Sequence, residues 1–412
     1  YKVLLQTITE FTMKKTLLTI ISAITTCLIF TSCFDPIFSD IRNEVPLKEA
    51  QISGFINSIV RYKDDIYLQN GRIYSKPITS NAHGQWALDK SSQITPLEFD
   101  YYAQSFYGEY IVKLASDANY IYALSYNFGP KENEGLNEVK DIFVYYKTNS
   151  DSDWKKSSGT LQAELTEIAK NYKDLEDKSY EMTDSTKTVA MFCTNTPQEA
   201  NRHAYIKIGT KLYKLDGAKL ASDTALAEIT SPAKIHTSES TDNSKIVSAM
   251  YINGDVYFSE HIACGTDETA TTNAKFGYYA IDKKLYYFEA ANVLAKDKNS
   301  IELETNNKII SMAISKDSIL LGTDESGIKR AILTDGVPAK TNEYVSNSSI
   351  ILCEPYIIRE IFSAYPDKTE AENTMYASMQ FRWTETNSGA QYSNTGLWSY
   401  YNTTDRNNWN RE

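Results

Sequence analysis

The strongest constraint on this chain of 412 residues is a stretch, Ile56 to Trp86, whose pieces keep returning until the C-terminus. It runs Ile56-Asn-Ser58-Ile-Val-Arg-Tyr62, Lys63-Asp-Asp65, Ile66-Tyr67-Leu68, Asn70-Gly71, Arg72-Ile73-Tyr74, then a polar turn and Trp86. Two apolar runs meet at Lys63-Asp64-Asp65, a polar triple suited to a turn. Two more meet at Asn70-Gly71, where both residues tolerate positive φ, the strongest short hairpin signal. Tyr62, Ile66, Leu68, Ile73 and Ile78 suit a pleated, half-buried surface. The unit therefore reads as an antiparallel meander of four strands.

Ser248 to Phe258 and Ser311 to Leu321 align without a gap on Ser58 to Leu68, and Lys113 to Ala123 fits the same frame. Weaker copies start near Thr188, with Ala204 to Ile208 as second strand, and near Ser349, with Met375-Tyr376-Ala377. The far end of the unit recurs as well. Ser80 to Trp86, Thr148 to Trp154 and Thr403 to Trp409 share one spacing.

Six starts give a period of about 60 residues, longer than the compact propeller repeats. A lone meander cannot bury both faces, so units must stack, and radial stacking leaves only short protected edges. The expected fold is all-β: a β-propeller of about six four-stranded blades, seven being the nearest alternative. A β-sandwich or an open β-solenoid could be built from the same hairpins.

Residues 1–12 precede Met13-Lys14-Lys15 and read as an upstream extension of the reading frame or an expression remnant, outside the fold. Met13 to Ser32 has the order of an export signal: two lysines, an apolar run from Leu17 to Phe30, then Thr31-Ser32 before Cys33. Phe30-Thr31-Ser32-Cys33 resembles the lipobox of bacterial lipoproteins, with Phe30 where Leu is usual. The resemblance implies a diacylglyceryl group on Cys33, cleavage before it, and N-acylation of the new terminus. Two or three acyl chains anchor stably where one is marginal. A plain secretory signal or an uncleaved anchor would share the charge and apolar pattern. Phe34 to Ala50 reads as a tether, and 51–412 as the propeller-like domain. The expected location is the bacterial cell envelope, on the periplasmic leaflet or the cell surface.

A formal charge of −11 argues against nucleic acid and against an electrostatic grip on anionic lipid. Of the five cysteines, Cys193, Cys264 and Cys353 remain after Cys27 leaves and Cys33 is acylated, an odd number that implies no disulfide framework. Cys193 and Cys353 sit in apolar first-strand runs, as small buried hydrophobes do.

Between the second and third units the period changes. Leu161, Leu165, Ile168, Tyr172 and Leu175 follow one helical stripe, so an amphipathic helix is expected near 161–175, packed on the domain or facing a partner. Antiparallel threading puts the loops between second and third strands, and the unit-to-unit connections, at one end. Those loops are short in units one and three and are expected to be long at Asn127 to Lys140, Glu260 to Lys275 and Arg382 to Thr395. That end is the candidate binding face, with Trp383, Tyr392 and His261 as its notable side chains.

Motifs for chemistry are scarce. His261-x-x-Cys264 offers two ligands where zinc takes three or four, and the histidines at 83, 203, 236 and 261 do not cluster, so no metal or cofactor is expected. No Gly-rich phosphate loop, Gly-x-Ser-x-Gly elbow or His-Glu-x-x-His pattern occurs. Thr403, Asp405, Asn407 and Trp409 resemble the Asp-box turn of sialidases, with Trp409 one position early. The Ser80 and Thr148 copies lack the Asp. That box is a folding element in its family, and the arginine cluster that sialidases need is missing here. Three function classes remain: a lipid-anchored binding module for a protein or glycan, a glycan-processing enzyme on a propeller core, and an envelope assembly scaffold. The first, non-enzymatic, is the expectation.

Overall fold

Two turns set up the first sheet. In the computed structural model, β1 (Ile59–Tyr62) and β2 (Asp65–Gln69) join at Lys63-Asp64, with Lys63 at φ 54°. β3 (Ile73–Pro77) follows Asn70-Gly71-Arg72, and β4 (Ala87–Leu88) follows the turn ending at Trp86. Ile59 pairs with Leu68 and Gln69 with Ile73, the register the apolar alternation requires. Gly71 sits at φ +92° against Tyr110, where a Cβ would lie 2.4 Å from the ring, so only glycine fits that turn.

The structure describes residues 52, 54, 56–79, 85–101, 105–130, 137–171, 189–193, 202–209, 211–228, 246–250, 276–281, 283–289, 300–302, 307–324, 327–334, 337–344, 356–381, 396–401 and 409–412. They belong to one unit running from Ala50 to Glu412. Among them, five more antiparallel meanders follow the first. The second has five strands: β5 (Glu98–Asp100), β6 (Ser105–Ser116), β7 (Ile121–Pro130), β8 (Asn137–Lys147) and β9 (Lys155–Lys156). Helix α1 (Gly159–Asn171) leads to β10 (Val189–Cys193), β11 (Ala204–Ile208) and β12 (Lys211–Lys214); helix α2 (Gly217–Ala221) then precedes β13 (Ala227–Glu228). The fourth sheet is β14 (Ile246–Met250), β15 (Phe276–Ile281), β16 (Lys284–Glu289) and β17 (Ser300–Glu302). The fifth is β18 (Ile309–Ile314), β19 (Ser318–Thr323), β20 (Ile328–Thr334) and β21 (Val337–Tyr344). The sixth is β22 (Tyr356–Ser363), β23 (Thr374–Phe381), β24 (Gly396–Tyr401) and β25 (Trp409–Arg411).

The recurring sequence frame has a structural cause. First strands slip register between Ile111 and Lys113, Ile246 and Ser248, Ile309 and Ser311, and Ile358 and Glu360. Each slip inserts one unpaired residue, a β-bulge that bends and twists its strand. The aligned frame starts at the residue after the bulge, at Lys113, Ser248 and Ser311. The matching position in the last sheet is Glu360, later than the start expected near Ser349. Two of the frame serines tie sheets together. Leu114 N donates to Ser58 Oγ at 2.8 Å, and Ser311 Oγ donates to Ile358 O at 2.7 Å.

Neighbouring sheets pack through apolar side chains. Val60, Tyr62 and Ile73 meet Leu114, Ala123 and Tyr145 between the first and second sheets. Leu124, Val144, Met191 and Ile206 do the same between the second and third. Leu285 joins the fourth sheet to the fifth, and Leu320 and Ile328 meet Ile361 and Met379 between the fifth and sixth. Ile59, Ile66 and Trp86 pack on Phe362, Tyr376 and Leu397, so the last sheet lies against the first. Polar contacts also cross between sheets: Arg61 Nη1 donates to Ala364 O (3.3 Å), Arg202 Nη1, just before β11, donates to Arg61 O (3.4 Å), and Lys113 Nζ lies 3.8 Å from Glu360 Oε2.

The expected helix is present as α1. Leu161, Leu165 and Ala169 are buried with Ile142 and Val144, Ile168 packs beside them, and Gln162 Nε2 donates to Ile142 O at 3.0 Å. Burying a leucine such as Leu165 contributes about 1.5–3 kcal/mol. Tyr172 and Leu175 lie outside the described residues. Two loop assignments are corrected. Asn127 to Lys140 is largely strand, because the ladder of β7 and β8 continues from Asn127↔Asp141 to Pro130↔Asn137. In the fourth sheet β14 pairs with β15, so Glu260 to Lys275, which lies outside the described residues, falls between the first and second strands. The segment Arg382 to Thr395, also outside the described residues, does fall between second and third strands, β23 and β24.

Candidate interaction site

β6, β7 and β8 have 12, 10 and 11 residues, whereas the other first strands have 4 to 8. Lys113 Nζ donates to Asn57 O, Leu114 N to Ser58 Oγ, and Ser116 Oγ to Arg61 O, so β1 and β6 run the same way with Asn57 level with Lys113. Ser105 stands eight residues before Lys113, which at 3.3 Å per residue carries β6 about 26 Å past Asn57. This end of the sheet holds the connection between second and third strands.

The projecting end carries β5, paired as Glu98↔Tyr107, Phe99↔Phe106 and Asp100↔Ser105. Gly108 makes that return possible. Its φ is +106°, and a Cβ there would lie 2.4 Å from Pro96 O, so a side chain would push the incoming strand away. Glu109 N donates to Thr95 O at 2.7 Å and fixes the crossing. Phe99, Tyr101, Phe106 and Tyr107 are 38%, 78%, 41% and 39% exposed. The Phe99 ring lies 4.9 Å from that of Phe106 and 5.1 Å from that of Tyr101. Among the described residues, these four share the large exposed apolar side chains only with Leu88 and Ile332. An apolar cluster held open to solvent marks a contact surface.

Beneath it sits a buried carboxylate. Glu109 accepts from Ser125 Oγ at 2.8 Å, from Tyr145 OH at 2.9 Å and from Thr95 N at 3.4 Å. Burial, and then the Glu109 charge, push the Tyr145 hydroxyl far above the ordinary tyrosine range. Tyr145 is thus a donor to Glu109 and a poor nucleophile. Lys156 lies over the Phe143 ring, and burial pushes its ammonium down. A cavity of about 410 Å³ opens beside them, lined by Gln93, Asp151, Ser152, Asp153, Trp154, Lys155 and Lys156. Its carboxylate Asp153 is already engaged. Asp153 accepts from Ser91 Oγ (2.6 Å), Ser92 Oγ, Ser92 N (3.0 Å) and Trp154 N (2.7 Å). Those bonds, the two serine hydroxyls foremost, hold its carboxyl down at about 2. The geometry is that of a brace between the first two sheets.

The tryptophan turns are structural, as their spacing suggests. Trp86, Trp154 and Trp409 are all buried and stand where the third strand gives way to the fourth. Trp154 Nε1 donates to Asp89 Oδ2 at 3.2 Å. Cys193 is partly buried and packs against the apolar clusters on either side of the second sheet. Cys33, His261, Trp383 and Tyr392 lie outside the described residues. His261 falls in the chain between β14 and β15, and Trp383 and Tyr392 fall between β23 and β24. The aromatic hairpin was not singled out from the sequence, although the density of Phe and Tyr between Phe99 and Tyr107 could have flagged it. Among the described residues there is no group of three or more His, Cys, Asp or Glu placed to hold a metal, and no helix is long and apolar enough to cross a membrane.

Residues 7–97 match the TP013X lipoprotein family. An uncharacterized lipoprotein of Treponema pallidum (strain Nichols) is 30% identical over 100 residues, which are 24% of this chain and 18% of the relative. The match spans under a fifth of that relative's length. Among solved structures, YCF48 from Cyanidioschyzon merolae has a TM-score of 0.40 at 10% identity, covering 86% of this chain and 96% of its own. AofleA from Arthrobotrys oligospora has a TM-score of 0.38 at 11% identity, covering 88% of this chain and 86% of its own. The extracellular domain of a putative one-component system from B. thetaiotaomicron has a TM-score of 0.34 at 12% identity, covering 85% of this chain and 39% of its own. The family match takes in Met13 to Cys33 together with β1 to β4. Over that stretch the chain resembles a lipoprotein, as Phe30 to Cys33 reads.

Proposed function

We propose that this chain is a lipid-anchored protein of the bacterial envelope and a non-enzymatic interaction module. In this reading Met13 to Ser32 is the signal peptide, Cys33 carries the acyl chains and Phe34 to Ala50 is the tether. The six sheets close into a propeller ring, the junction of β10–β13 with β14–β17 completing it. The packing of the last sheet on the first, and the bonds among Arg61, Arg202, Lys113 and Glu360, support that closure. The observation that carries the interaction reading is the exposed aromatic cluster of Phe99, Tyr101 and Phe106, with exposed Tyr107 on the other face of the same hairpin, at one end of the domain. Trp383 and Tyr392, on the connection between β23 and β24, belong to the same end and are its candidate contacts for a protein or glycan. The saturated hydrogen bonding of Glu109 and Asp153 favours binding over catalysis.

Site-specific crosslinking tests the reading in cells. Trp383→p-benzoylphenylalanine should yield one discrete adduct on illumination, and Ile332→p-benzoylphenylalanine, on an exposed position of β20, should not. Trp383→Ala should abolish capture of the crosslinked species while leaving the melting transition in place. Identical adduct patterns from 383 and 332, or none from either 383 or 392, would refute an interaction face at this end.

A further inference from the structure

We infer that the aromatic hairpin docks on the bilayer that holds the anchor, seating Phe99, Tyr101, Phe106 and Tyr107 in the zwitterionic headgroup layer. The inference rests on the proposed acylation of Cys33 and names the partner of the exposed cluster.

Three observations converge. The chain enters the domain at the end from which the hairpin projects. Ile52 O accepts from Leu397 N at 3.1 Å, next to the start of β24, and Asn57 and Ser58 then lead into β1. The lengths also agree. Eighteen residues separate Cys33 from Ile52. At full stretch a chain of that length reaches about 65 Å. The ribbon projects about 26 Å past Asn57. A tether of that length is long enough to let the ribbon tip reach the surface. The chemistry of the tip also suits this depth. Phenylalanine and tyrosine concentrate where acyl chains meet headgroups, because each ring has an apolar body and the tyrosine hydroxyl stays wet. Glu98 and Asp100 lie on the same hairpin, and the chain carries −11 overall, so anionic lipid should add nothing to the contact.

The test uses the full acylated protein on phosphatidylcholine vesicles, with Tyr101→Trp as the reporter. Tyr101 is 78% exposed, so the larger ring needs no room in the core. Flotation with the vesicles reads the anchor, and Cys33→Ala should abolish it. Quenching of the added indole by phosphatidylcholine brominated high on the acyl chains reads the docking. The expected result is a loss of the added emission, unchanged when a third of the lipid is replaced by phosphatidylglycerol. Protein that floats with its added indole unquenched overturns the docking and leaves the anchor standing. Protein that never floats, with Cys33 or without it, overturns both. A blue shift that appears in detergent and grows with protein concentration assigns the cluster to a second copy instead. Should Tyr101→Trp fold poorly, Phe106→Trp places the same reporter one strand across.

Discussion

Glu412→Gln should be among the most damaging single changes in the domain. The Glu412 side chain and that of Lys76 are both 0% exposed, and Lys76 Nζ lies 3.0 Å from Glu412 Oε2. The same oxygen accepts from Trp86 Nε1 at 2.8 Å, while Glu412 N donates to Leu397 O at 3.0 Å. The pair therefore joins β3 of the first sheet to the third and fourth strands of the last. Glutamine keeps the shape and an acceptor for Trp86 but deprives a buried ammonium of its counter-charge. Breaking a buried pair from one side costs about 3–5 kcal/mol. Total stabilities are about 5–15 kcal/mol, so the loss is a large share. Urea denaturation of the full chain, followed by tryptophan emission, measures it. Lys76→Met with Glu412→Gln removes both charges and should recover at least about half of the loss, since apolar replacement of a buried pair is often neutral. A cost below about 0.5 kcal/mol for Glu412→Gln, the range of ordinary surface changes, would mean that the seam between first and last sheets is not closed as described.

Trp154→Ala removes a fully buried ring that bonds Asp89 and lies 5.0 Å from Lys147 Nζ; it should cost about 3–5 kcal/mol in the same urea assay. Asp153→Asn should make stability less dependent on acid. The folded Asp153 carboxyl is held at about 2 against an ordinary 3.8, so its contribution is full above about pH 4 and is lost as pH falls towards 2. Melting temperatures of the two proteins should therefore converge between those limits, and a gap that stays constant would refute the hydrogen-bonded carboxylate.

The repeat was legible because its signals are local. Asn70-Gly71 specifies a turn by backbone preference alone, and the buried tryptophans of the turns before the fourth strands recur at one spacing. Leu161, Leu165 and Ile168 announced α1 by period. The long ribbon was hidden for the opposite reason. Asn127 to Pro130 pair through backbone bonds to β8, and their sequence of Asn, Phe, Gly and Pro has no apolar alternation to betray a strand. Glu109, Lys76 and Glu412 are buried charges whose partners lie tens to hundreds of residues away, as Lys76 and Glu412 do at a separation of 336. No window of sequence contains such a pair.

The seam between first and last sheets also decides how the protein meets mechanical force. In an anchored chain, any pull transmitted through the membrane arrives at Ile52, whose carbonyl is bonded to Leu397 in the last sheet. Tension is thus shared at once between the first and last sheets. Lys76, Trp86 and Glu412 lie across that joint, behind the apolar cluster of Ile52, Ile56 and Leu397. The buried pair works as a clasp across the joint of the first and last sheets.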